Sequence, residues 1–187
     1  MIGALICACG LSTPLAQALD TSHPVDYRTS TFTTSSQSEA DLALVGDRVL
    51  SAWSSRRQNG GRYGVFGQWF DGEGRPLGEE FSLSAWREGH LVAPALAGTD
   101  HLAWAVWQSH GQDGDAGGII ARLLTPDGAS EEILVNQTTI GHQGSPVVAA
   151  LADGGAVIAW QDTQSDGSST IRYRVLDRSG HPLSDER

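Results

Sequence analysis

The chain has 187 residues, and its 22 Asp+Glu against 12 Lys+Arg give a formal net charge of −10 with histidine neutral. That balance argues against a phosphate-binding surface, which needs clustered Lys and Arg, while a hydrophobic share of 40% is enough for a core. Two cysteines exclude both a disulfide framework and a four-thiolate zinc site.

Residues 2–18, IGALICACGLSTPLAQA, carry no charged side chain and end on the small-x-small triplet Ala16-Gln17-Ala18. The apolar part is shorter than the ~20 residues a helix needs to cross a bilayer. Residues 1–18 therefore read as an export signal, although no Lys or Arg opens it. A lipid-bearing Cys9 in Ile6-Cys7-Ala8-Cys9 is the weaker variant. Cleavage would leave a chain without cysteine or membrane span, as expected of a bacterial-type periplasmic, cell-surface or extracellular protein. Residues 19–35 follow, and in them YRTSTFTT, residues 27–34, reads as a lone strand.

The rest repeats itself, over residues 36–88, 89–141 and 142–187. Trp53, Trp107 and Trp160 stand 54 and 53 residues apart, and Gly74, Gly128 and Gly180 follow them by 21, 21 and 20 residues. Pro94 and Pro146 precede their tryptophans by 13 and 14 residues, where the first copy has Ala40. Each copy reads as strand, turn, strand ending on the tryptophan, polar loop, strand, tight hairpin, strand. The turns Val45-Gly46-Asp47, Gly98-Thr99-Asp100 and Ala152-Asp153-Gly154-Gly155 use residues that tolerate positive φ. In the third strands, Val65, Gly67 and Trp69 align with Ile119, Ala121 and Leu123, and with Ile171, Tyr173 and Val175. Period-two alternation predicts that this face is buried. Fourth strands are expected over Glu80–Leu83 and Glu131–Val135, with none in the third copy. The prediction is an all-β fold of β-propeller-like blades of four antiparallel strands, about three repeats, hence a partial or open propeller.

The third copy carries Pro146-Val147-Val148-Ala149-Ala150-Leu151-Ala152-Asp153-Gly154-Gly155, then Trp160-Gln161-Asp162, Ile171 through Arg174, and Asp177 through Leu183. The pattern resembles the tryptophan-centred, propeller-like tandem repeats of bacterial secreted and surface proteins. The resemblance implies architecture over residues 36–187 and little about activity. Three blades do not close a ring of about 4–8. Further blades from a longer chain, two chains in one six-bladed ring, and an open stack are the alternatives, and self-association is expected of any open form.

Candidate chemistry is sparse. Trp53, Trp107 and Trp160 are expected in the core or between blades. Trp86, in the linker SAWREGH, is the candidate sugar-stacking residue, against a role covering an apolar edge. Arg122, Arg172 and Arg174 are candidates for clamping a carboxylate at a propeller axis, as in sialidases, or else pair with acidic loops. Asp113 and Asp115, with Asp162 and Asp166, are candidate Ca²⁺ ligands in their loops, against turn formation. No other cofactor is indicated. His90, His101, His110 and His142 show no metal-type spacing, and Asn136-Gln137-Thr138 is a glycosylation sequon. The sequence thus reads as an exported, non-catalytic binding or adhesion scaffold for surface glycans or proteins. The alternative is the N-terminal part of a sialidase-like propeller hydrolase whose catalytic set lies elsewhere.

Overall fold

The computed structural model describes residues 28–187. The export segment, and Tyr27 of the expected lone strand, lie outside the described residues. Residues 28–36 form no strand, which corrects that expectation. Instead Thr31 donates its N–H and hydroxyl to one carboxylate oxygen of Glu80, at 2.8 and 3.1 Å.

Twelve strands follow, all paired antiparallel within three separate sheets. Blade 1 is β1 (Gln37–Val45), β2 (Arg48–Asn59), β3 (Arg62–Phe70) and β4 (Pro76–Ser82), in that order. Blade 2 is β5 (Leu91–Gly98), β6 (Ala103–Ser109) and β7 (Gly118–Thr125), with two short pieces, β8 (Gly128–Ala129) and β9 (Ile133–Leu134), both on the β7 edge. Blade 3 is β10 (His142–Ala150), β11 (Ala156–Thr163) and β12 (Ser169–Leu176). No fourth strand is assigned there, yet residues 183–187 run along the β12 edge. Leu183 donates to the Val175 carbonyl, and Tyr173 and Arg187 exchange both backbone bonds.

The first strands β1, β5 and β10 form the inner edge of the three blades, with β5 in contact with both β1 and β10. At this edge the backbones nearly touch. A Cβ at Gly98 would overlap the Leu44 carbonyl oxygen, so only glycine fits there.

The core is two seams between blades. The first joins Ala43, Leu50, Val65 and Trp69 of blade 1 to Leu96, Trp107 and Ile120 of blade 2. The second joins Trp104, Val106 and Ile119 of blade 2 to Ile158, Trp160 and Leu176 of blade 3. Trp104 and Trp107 are three apart in β6, so alternation sends them to opposite faces and into different seams. Both are fully buried, and the Trp104 indole N–H reaches the Gly154 carbonyl at 3.0 Å.

The expected burial of one third-strand face holds for Val65, Trp69, Ile119 and Ala121. In these blades the other face is buried too, through Phe66, Phe70, Ile120 and Leu124. In blade 3 the expectation fails, because Ile171 is 73% and Tyr173 37% exposed. That face lies beyond the second seam.

Candidate functional site at the inner loop end

Each inner strand is broken at the same place. Its register shifts between Ser38 and Asp41, between Val92 and Ala95, and between Gly144 and Val147. The extra residues Glu39, Ala93 and Ser145 take φ of 56°, 51° and 52°, a left-handed conformation costly for side chains other than glycine. Three equivalent β-bulges result. Each turns a backbone N–H sideways, and in both seams the preceding blade receives it. Ala93 donates to Glu39 Oε2 at 2.8 Å, and Ser145 donates to Gln108 Oε1 at 3.3 Å. Glu39 also accepts the Ser54 hydroxyl at 2.6 Å, and Asp41 accepts the Leu96 N–H at 2.8 Å.

Just beyond the bulges, four rings run in a row across all three blades. Tyr63 and His90 have centroids 5.9 Å apart, His90 and His110 6.3 Å, and His110 and His142 5.6 Å. The Gln108 amide nitrogen sits between His110 Nε2 at 2.8 Å and His142 Nε2 at 3.3 Å. The amide nitrogen can only donate, so each of these bonds calls on a ring nitrogen that accepts. His90 Nδ1 accepts the Tyr63 N–H at 3.3 Å. Partial burial first, then the neighbouring His142 and His90, hold His110 below its ordinary value of 6.5.

Behind the row lies a buried polar chain. Asn136 accepts the Ile119 N–H at 2.7 Å and donates to Asp113 at 3.0 Å. Gln143 donates to Asp162 at 2.9 Å, and Arg172 ties Asp162 at 2.6 Å to Glu186 at 3.0 Å. These bonds fix the loops that carry His110 and His142. Asn136 is 2% exposed, so the sequon is closed to modification in the folded chain.

The side chains singled out in the sequence do not converge. Trp86 is half-buried against the first seam, and its indole nitrogen is covered, which fits the edge-covering role rather than an exposed platform. Arg122 and Arg174 point away from the axis, to carbonyls at the outer strands, which corrects the axial clamp. Asp113 bonds to Asn136, Asp115 accepts the Gly141 N–H at 3.0 Å, and Asp162 is tied to Gln143 and Arg172. Asp166 closes a turn on Ser168, whose hydrogen bonds hold it below the usual carboxylate value. Among the described residues no three His, Cys, Asp or Glu side chains gather as a metal-binding group, and each of the four Asp accepts a hydrogen bond in a turn or in the buried chain.

The imidazole row escaped the sequence reading, which tested histidines only for metal spacing. One signal was present: Gly89-His90 and Gly141-His142 each stand four residues before a repeat proline. A depression of about 820 Å³ lies at the opposite end, among turn residues such as Thr99, Asp153 and Arg178.

The fold is that of a β-propeller, represented by three blades. No protein-family model matches the sequence, and no curated protein does. Among solved structures, the chain is similar to a thermostable family-43 glycoside hydrolase, with TM-score 0.55 and 12% identity. That match covers 83% of this chain and 60% of the other. An endo-arabinase from Bacteroides thetaiotaomicron is 16% identical with TM-score 0.48, covering 78% of this chain and 61% of its own. An endo-arabinanase from Bacillus licheniformis, also 16% identical, has TM-score 0.45 and coverages of 80% and 57%. The chain thus spans less than two thirds of each of these structures. At such identities the likeness is one of fold.

Proposed function

We propose that the chain forms three blades of an exported, propeller-type glycan hydrolase and supplies part of its glycan-binding end. The observation that carries this reading is the row Tyr63, His90, His110 and His142, set across three blades at the inner loop end. The shared fold with a family-43 glycoside hydrolase supports it. Imidazole and phenol groups offer both ring faces and hydrogen-bonding edges, which suits sugar hydroxyls. Glycoside hydrolysis needs two carboxyl groups flanking the bond. Glu39 is the exposed carboxylate on the inner strand of blade 1, and its counterpart would come from a blade outside these three.

The test is binding and reducing-sugar release on a panel of polysaccharides, with His110→Ala and His142→Ala beside the unaltered chain. Binding that weakens in both variants supports the reading. Binding without turnover, even with the completed ring, would return it to an exported binding scaffold. Absence of binding to every glycan would remove the sugar reading altogether.

A further inference from the structure

Four arginines gather on the rim of blade 1, beside the Tyr63 end of the ring row. Arg56 and Arg57 lie near the end of β2, Arg62 opens β3, and Arg87 lies in the linker to blade 2. All four are exposed, and none joins an ion pair among the described residues. The chain contains no lysine, so these are four of its 12 cations, in a protein of net charge −10. Arg57 holds a left-handed φ of 71°, a strained conformation for its side chain.

The repeat makes this rim continuous with the row. His110 donates its backbone N–H to the His90 carbonyl at 3.0 Å, and Arg56 donates its own to the Ser36 carbonyl at 2.9 Å. Arg56 thus takes in blade 1 the place that His110 holds in blade 2, each three residues after its repeat tryptophan. Arg56 also stands directly opposite Tyr63 in the β2–β3 pair, so the two side chains share one side of the sheet. Arg62 donates to the Arg87 carbonyl at 3.3 Å, and Arg87 donates to the Ser82 hydroxyl at 3.0 Å and the Ser84 carbonyl at 2.9 Å. These bonds hold two guanidiniums at the rim without neutralising either. The acids around them are engaged elsewhere: Glu39 accepts from Ser54 and Ala93, and Glu80 from Thr31 and Gln58. Glu88 is next in sequence to Arg87, yet it pairs with none of the four. Like charges held together repel, and a bound anion relieves that repulsion.

We propose that this rim binds the carboxylates of an acidic polysaccharide, so that the glycan of the ring row is a polyuronate. The inference rests on the glycan reading of that row and names its substrate class. A planar guanidinium meets a carboxylate with two parallel N–H bonds. The rings take the sugar faces and hydroxyls, and the arginines take the charged group that a neutral glycan lacks. The net negative charge of the chain repels such a polymer elsewhere, which confines its binding to this rim.

Titration calorimetry of the full chain with polygalacturonate and with its methyl ester tests it, since the two share a backbone and differ in charge. The acid should bind more tightly than the ester. Arg56→Gln and Arg62→Gln should each weaken acid binding on the order of 10-fold and leave ester binding unchanged. Added salt should weaken acid binding alone. Equal affinity for acid and ester overturns the proposal and leaves the glycan reading in place, as does acid binding that both variants retain. Dextran sulfate bound as tightly as the acid, with the same dependence on Arg56 and Arg62, also overturns it and marks a general polyanion surface. Failure of these and of every neutral glycan to bind overturns both readings. Circular dichroism checks the fold of the variants. Should either unfold, phenylglyoxal modification of the unaltered chain decides: polygalacturonate must protect Arg56 and Arg62, and unchanged modification overturns the proposal.

Discussion

Arg174 repeats in blade 3 the bond that Arg122 makes in blade 2. Each guanidinium donates at 2.9 Å to a carbonyl at the outer edge of the blade before it, Leu83 for Arg122 and Val135 for Arg174. Each also donates through Nε to its own blade, to Ser130 at 2.6 Å and Ser184 at 3.2 Å. The arginine is thus a clamp across the outer end of each seam, as the bulge N–H is across the inner end.

Arg122→Ala should therefore destabilise the fold by about 1.5–3 kcal/mol, the range for hydrogen bonds with a charged partner. Arg122→Lys should recover little of it, because a single ammonium does not reproduce a planar fork that spans two carbonyls. Urea denaturation gives both values. A lysine variant as stable as the parent would show that charge, not fork geometry, holds the seam.

Trp107→Ala and Trp160→Ala should each cost about 3–5 kcal/mol, because each empties the middle of a seam. The same denaturation experiment reads it. Losses near 1 kcal/mol or less would mean that the seams collapse around the gap, and would demote the tryptophans from their place at the centre of the packing.

Asp162 is fully buried and engages Gln143, Gln164 and Arg172. Asp162→Ala should cost about 1.5–3 kcal/mol, since it removes the buried acceptor of Gln143 and Gln164 and leaves Arg172 with Glu186 alone. Adding Arg172→Met in the same chain should cost less than it does alone, because the Asp162 bond is already gone. Additive losses in the double variant would contradict the pairing.

His110 sets an acid limit. Its folded value lies below the ordinary 6.5, so below that pH the unfolded chain binds more protons than the folded one. Its contribution to stability is complete above 6.5 and is lost as pH falls toward the lowered value. Protonation also turns an acceptor facing Gln108 into a second donor. The melting temperature should fall between about pH 7.5 and pH 5.5, and less so in His110→Gln. Parallel curves for the two proteins would remove His110 as the cause.

Much of the architecture was legible because strands and turns write local patterns. The tryptophan spacing, the hairpin glycines and the alternation in β3, β7 and β12 gave the blades and their number. What lay between blades was not local. Arg122 and Arg174 were visible as one repeated position, but alternation says which side a residue takes, not which carbonyl waits there. The ring row joins residues 63, 90, 110 and 142, which only the stacking of blades brings together. The sequon was equally plain at Asn136, yet its burial follows from bonds to Ile119, Asp113 and Thr138, two of them far along the chain. The lone strand failed for a related reason: β-branched residues favour a strand only where a partner edge exists, and Thr31 bonds the Glu80 side chain instead.

The inner-strand bulge leaves each blade written in two reading frames. His142 and Gly144 sit opposite Thr163 and Gln161, and Val147 sits opposite Ala159, so even positions before Ser145 share a side with odd positions after it. Deleting Ser145 would therefore move the whole loop-end half of the strand to the wrong side while leaving the apolar half in place. Kept, the extra residue uncouples the two halves. The rim can change its chemistry from Glu39 to Ala93 to Ser145 while the packing below stays in phase, and that is the freedom a duplicated blade needs to diversify.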